Sequence, residues 1–108
     1  MTTIILDDDA LRDRIGARLA GGLKTEVEPR CDAQDDVQAV VDRLKALAPD
    51  DVDGRLVIGG FTDHPIVHEE IEEACETCMY YLVHRRYCEL PELDLPVEPQ
   101  WSCRLWRI

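Results

Sequence analysis

Four cysteines in the last third of the chain, in the order Cys75-x2-Cys78-x9-Cys88-x14-Cys103, carry the most chemistry that the sequence offers. Thiolates are soft ligands, and two of them separated by two residues can reach a single ion or a single cluster. Cys88 and Cys103 then supply the third and fourth positions of a tetrahedral zinc or a four-iron cluster. Cysteine is also a small hydrophobe that fills cores without a chemical role, and a redox-active or disulfide pair is a third reading. The number and crowding of the thiols favour a metal. Cys31 is remote from the others and reads as a spectator.

Histidine offers less. His64 and His68 stand four apart with Glu72 continuing the same helical face, a spacing that can hold a divalent ion but that a solvated acidic face also produces. No HExxH is present, and His84 is a lesser candidate to replace Cys88 as fourth ligand. There is no Gly-rich phosphate loop, no GxSxG and no evident Cys–His nucleophile arrangement, so catalysis is not the expected role. A thiol–disulfide centre belongs at the start of a helix, whereas Cys75 and Cys78 are expected well inside one and among Glu72, Glu73 and Glu76, which disfavour a thiolate.

The chain has 108 residues, with 23 acidic against 12 basic side chains and a formal net charge of -11. One domain spanning 1–108 is expected, able to bury a core without needing a metal merely to fold. The charge repels nucleic-acid phosphate and anionic membranes, so neither is an expected partner. The opening residues have no basic segment, and no stretch approaches the roughly 18 apolar residues of a membrane span. A soluble, cytoplasmic protein is therefore expected, in which reduced thiols are ligands rather than disulfides. Arg85, Arg86, Arg104 and Arg107 fall among the cysteines and can frame the site as a basic patch for a protein partner.

The elements that must position these groups read as strand and helix in alternation. Thr3 to Leu6 is an expected strand, followed by a helix from about Ala10 to Leu19 that Asp7-Asp8-Asp9 caps and Gly21-Gly22 stops. Lys24 to Val27 can form a second strand, and Asp35-Asp36 opens an amphipathic helix carrying Val37, Val40, Val41, Leu44 and Leu47. Arg55 to Ile58 reads as a buried strand ending at Gly59-Gly60, and a long helix from about Pro65 to Val83 follows, with Val67, Ile71, Ala74, Cys75, Cys78 and Leu82 on one stripe. Between the later cysteines, Leu90 to Pro99 contains three prolines and reads as an extended strap laid on the body through Leu93, Leu95 and Val97. The predicted fold class is thus α/β. A small three-strand, partly parallel sheet with helices would occupy 1–62, and the long helix with a Cys-rich, irregular metal-binding tail would occupy 63–108.

Two resemblances bear on function. The run Ile4-Ile5-Leu6-Asp7-Asp8 resembles the opening of a response-regulator receiver domain, but no phosphoacceptor aspartate follows the third expected strand, which ends in Gly59-Gly60. The order of one CxxC and two single cysteines, with Met79-Tyr80-Tyr81 after the pair and Trp101 before the last, resembles high-potential iron–sulfur loops and the small iron–sulfur subunits of glycyl-radical enzymes. The spacing between Cys78 and Cys88 is shorter than usual there, and Tyr87 stands where those families have glycine. This resemblance implies that Cys75, Cys78, Cys88 and Cys103 hold a 4Fe-4S cluster shielded by aromatic side chains. The expected role is electron transfer, or an accessory subunit of a larger redox enzyme, possible as a homodimer. The alternative is a structural zinc module for protein interaction.

Overall fold

The computed structural model describes residues 7–107, so the expected strand Thr3 to Leu6 lies outside the described residues. The first helix, α1 (Asp8–Ala20), begins where the Asp7 carboxylate accepts the Ala10 N–H at 2.7 Å, with Asp8 and Asp9 in its first turn favouring the positive end of the helix dipole. Ile15 of α1 is buried. The second helix, α2 (Gln34–Lys45), starts with Asp35 and Asp36 in its first turn, Asp36 reaching back to the Ala33 N–H at 3.3 Å, and it buries Val40, Val41 and Leu44.

The segment expected as a buried strand at Arg55 to Ile58 is instead the third helix, α3 (Val52–Gly59). A short apolar run fits a strand or a buried helix equally well, and the ends decide. Asp51 accepts the Gly54 N–H at 2.9 Å as the N-cap, and Gly60 stops the helix in the left-handed conformation, φ 66°. Gly60 is also needed for space, since a Cβ there would meet the Glu26 carbonyl oxygen at 2.4 Å. Lys24 to Val27, expected as a strand, has no regular secondary structure.

The long helix expected from Pro65 to Val83 does not form. In its place are β1 (Ile66–His68) and β2 (Ile71–Glu73), paired antiparallel, then a single 3-10 turn at Cys75–Thr77, then β3 (Tyr81–Leu82). The stripe that suggested a helix is not an inward face: Val67 is 71% exposed and Ile71 is 49% exposed. β-Branched Ile66, Val67 and Ile71 suit a pleated surface better than a helix interior. β3 pairs with β4 (Tyr87–Cys88), which pairs with β5 (Leu95–Pro96), both antiparallel. The partly parallel three-strand sheet is therefore corrected to three helices with two small sheets, of two and three strands, antiparallel throughout. Short antiparallel hairpins need no helical crossover, which removes the reason for expecting parallel strands.

The strap does lie on the body. Leu93, Leu95 and Val97 are fully buried in one core with Ile15, Leu56 and Phe61, each side chain contributing about 1.5–3 kcal/mol through removal from water. Arg12 of α1, itself buried, fastens this layer. Its Nε donates to the Val97 carbonyl at 3.0 Å, its Nη2 to the Arg85 and Arg86 carbonyls at 3.0 and 2.8 Å, and its Nη1 to Asp9 at 2.6 Å. One guanidinium thus ties the first helix to the strap and to the β3–β4 turn.

Candidate metal centre

The 3-10 turn at Cys75–Thr77 follows β2 directly and is stitched to the C-terminal segment by backbone bonds. The Cys75 N–H donates to the Trp101 carbonyl at 2.6 Å, Glu76 N–H to Pro99 at 3.0 Å and Met79 N–H to Arg107 at 2.7 Å. Within the turn Cys78 N–H donates to the Cys75 carbonyl at 3.0 Å, which brings both side chains of the CxxC to one side. Cys88 enters from β4, opposite Tyr81 of β3 and Leu95 of β5. Cys103 follows Ser102, whose backbone exchanges two hydrogen bonds with Thr62, at 2.8 and 3.1 Å.

These three segments place Cys75, Cys78, Cys88 and Cys103 around one cavity of about 10 Å³, whose remaining wall is Phe61, Tyr81 and Trp106. The four predicted ligands are thus neighbours in space, but Cys75 and Cys78 get there from a turn rather than from the inward stripe of a helix. Cys75, Cys88 and Cys103 are buried and Cys78 is half-buried. Among the described residues, no three of the cysteine sulfurs lie within 4.8 Å of one another. Trp106 also braces the turn from outside, its indole N–H shared between the Ala74 carbonyl at 2.9 Å and Thr77 Oγ1 at 3.1 Å.

Burial favours the protonated form of three of these thiols, Cys75, Cys88 and Cys103. Desolvation pushes Cys75 well above the ordinary thiol value, and the neighbouring Cys103, Cys88 and Cys78 push it the same way. Burial drives Cys88 up to about 12 and also raises Cys103. Each of the two is partly relieved by a hydrogen bond from a backbone N–H two residues on, Leu90 for Cys88 and Leu105 for Cys103. Such a donor aimed at sulfur favours the thiolate, the form that binds metal. A cation in the cavity would reverse the balance and expel thiol protons as it bound.

The other candidates lie elsewhere. Cys31 is buried beside α2, its Sγ 3.9 Å from the Asp36 carbonyl oxygen, and does not line the cavity. His84 is exposed in the β3–β4 turn and is likewise not part of its wall. Without a helix, His64, His68 and Glu72 share no face: His64 pairs with Asp63, His68 pairs with Asp32, and Glu72 sits opposite Val67 in the hairpin. Three of the four arginines are paired, Arg85 with Asp8, Arg86 with Asp9 and Glu98, and the buried Arg104 with Glu26, and Arg107 lines a separate groove beside Trp106. Of the aromatics expected to shield the site, Tyr81 does so and Trp101 does not, packing instead against Gly16 of α1. Phe61 and Trp106 take that place. Phe61 lies too far upstream for any spacing argument to reach it, whereas Trp106 follows Cys103 closely enough to have been included.

Comparison with known families, with curated proteins and with solved structures finds no match to this chain. No helix among the described residues is long and apolar enough to cross a membrane.

Proposed function

We propose that Cys75, Cys78, Cys88 and Cys103 hold a 4Fe-4S cluster and that the protein transfers electrons or serves as an accessory subunit of a larger redox enzyme. The observation that carries this reading is the convergence of four thiols, from three separate parts of the sequence, on one aromatic-walled cavity. The thiols are set wider than a tetrahedral zinc holds them: its sulfurs stand about 2.3 Å from the metal and so about 3.8 Å from each other, whereas among the described residues no three of these approach within 4.8 Å. The cavity itself, about 10 Å³, has room for roughly one water-sized sphere, so a cluster requires the four thiols to move outward as it binds. Donors aimed at sulfur from Leu90 and Leu105, and the apolar wall of Phe61, Tyr81 and Trp106, are the kinds of contact that tune a cluster's potential.

The test is iron, zinc and acid-labile sulfide analysis on protein purified anaerobically, beside a Cys75→Ser/Cys78→Ser variant. Four irons and four sulfides per chain, with absorption near about 400 nm that the variant lacks, are expected. One zinc per chain would replace the cluster by a structural staple. Neither metal, with the variant equally folded, would reduce the four thiols to core residues.

A further inference from the structure

On the other side of Trp106 lies a groove of about 220 Å³ whose wall includes Arg30, Asp32, His68, Glu69, Arg104 and Arg107. In its wall the ligand atoms of Asp32, His68 and Glu69 lie within 4.8 Å of one another, His68 Nε2 being 2.9 Å from Asp32 Oδ1. We propose that this mixed trio is a second metal site, for a divalent first-row cation such as Mn²⁺, Fe²⁺ or Zn²⁺. It is independent of the cysteine centre.

Three features argue for it. First, the donor set is one imidazole and two carboxylates, and borderline divalent ions take that combination where a merely solvated acidic face offers carboxylates alone. Second, the reach is right. Ligands at about 2.0–2.2 Å from an ion stand at most about 4.4 Å apart, so donors already within 4.8 Å close on it with small side-chain rotations. Third, the groove's buried cations are committed elsewhere, Arg30 to Glu73 and Arg104 to Glu26, and Asp32 is paired with His68, beside which stands Glu69, with Arg107 as the remaining cation of the groove wall. Like charges so placed repel, and a cation relieves them. Such an ion would stand between His68 Nε2 and Asp32, the imidazole then carrying its proton on Nδ1. Three protein ligands leave coordination positions facing the groove.

The trio was not legible in the sequence because Asp32 comes from the loop before α2, whereas His68 ends β1 and Glu69 opens the turn after it, and no spacing connects the two segments. Mn²⁺ is the probe, added to the full chain in buffer at physiological salt and followed by loss of the free-ion paramagnetic resonance signal. The titration is repeated on Cys75→Ser/Cys78→Ser, so that failure of the cysteine reading and failure of this one are separable. One equivalent is expected to bind to both proteins, with affinity at least about tenfold weaker in His68→Ala and in Glu69→Gln and unchanged in His64→Ala. All these side chains are at least partly exposed, and circular dichroism checks that each variant folds. Binding of Mn²⁺ in His68→Ala and Glu69→Gln equal to that of the parent, or no saturable binding in the parent, would overturn the proposal.

Discussion

Under the proposed cluster, serine in place of Cys88 or Cys103 removes a ligand, whereas serine in place of Cys31 removes a buried thiol that faces α2. Iron and sulfide should therefore fall to background in Cys88→Ser and Cys103→Ser and stay at the parental level in Cys31→Ser, by metal analysis on matched anaerobic preparations. Trp106 tests how the site is held. Phenylalanine keeps the apolar wall but removes the indole donor that Ala74 and Thr77 share. A loss of about 1–2 kcal/mol in chemical denaturation is expected, together with faster bleaching of the absorption near about 400 nm in air.

At the scale of elements, the chain spans two regimes of legibility. Helices α1 and α2 were readable because a local signal, an acidic cap followed by apolar residues at helical spacing, is also what stabilises them. From Pro65 to Val83 the same spacing misled, because apolar residues in an exposed hairpin recur at intervals of three and four without any burial to enforce them. The four cysteines that line one cavity were legible as a set because their count and spacing survive an error in secondary structure. The aromatic wall was not, since Phe61 reaches the cavity through tertiary packing alone. Two element-level predictions follow from particular residues. The β1–β2 loop has two residues, Glu69 and Glu70, both at positive φ, 51° and 66°, a pattern that favours glycine or asparagine. Glu70→Gly should raise stability by about 0.5–1 kcal/mol in urea unfolding. Arg12→Met, by contrast, strands the Val97, Arg85 and Arg86 carbonyls and should cost about 2–4 kcal/mol in the same assay, loosening the β3–β4 hairpin first in hydrogen exchange.

Across the whole molecule, a charge of -11 is held together partly by arginine pairs at the periphery. The hydrogen-bonded Arg85 guanidinium holds the Asp8 carboxyl below its ordinary value of 3.8, and Arg43 does the same to Glu26 below 4.5. Carboxyls depressed by folding bind protons more readily in the unfolded chain. Their contribution is therefore complete above the ordinary values and is lost as pH falls through the folded ones. Thermal melts of the metal-free protein should show a flat midpoint between about pH 5 and pH 8 and a falling one below about pH 4, with a second fall at alkaline pH, where the unfolded thiols ionise and the buried Cys75, Cys88 and Cys103 do not. Arg43→Gln should flatten the upper part of the acid fall. Added salt works in two directions, weakening these pairs while screening the net repulsion.

The cysteine centre is not equally sealed on all sides. Cys78 is half-buried where its three companions are buried, and next to it in the sequence stands Met79, 60% exposed. A cluster held here would have one window, and the iron under Cys78 would be its nearest atom to the outside. The shortest tunnelling path to any acceptor would leave through that window, and dioxygen would arrive by the same route. A trimmed three-iron species missing the corner at Cys78 is thus the first product expected of slow exposure to air.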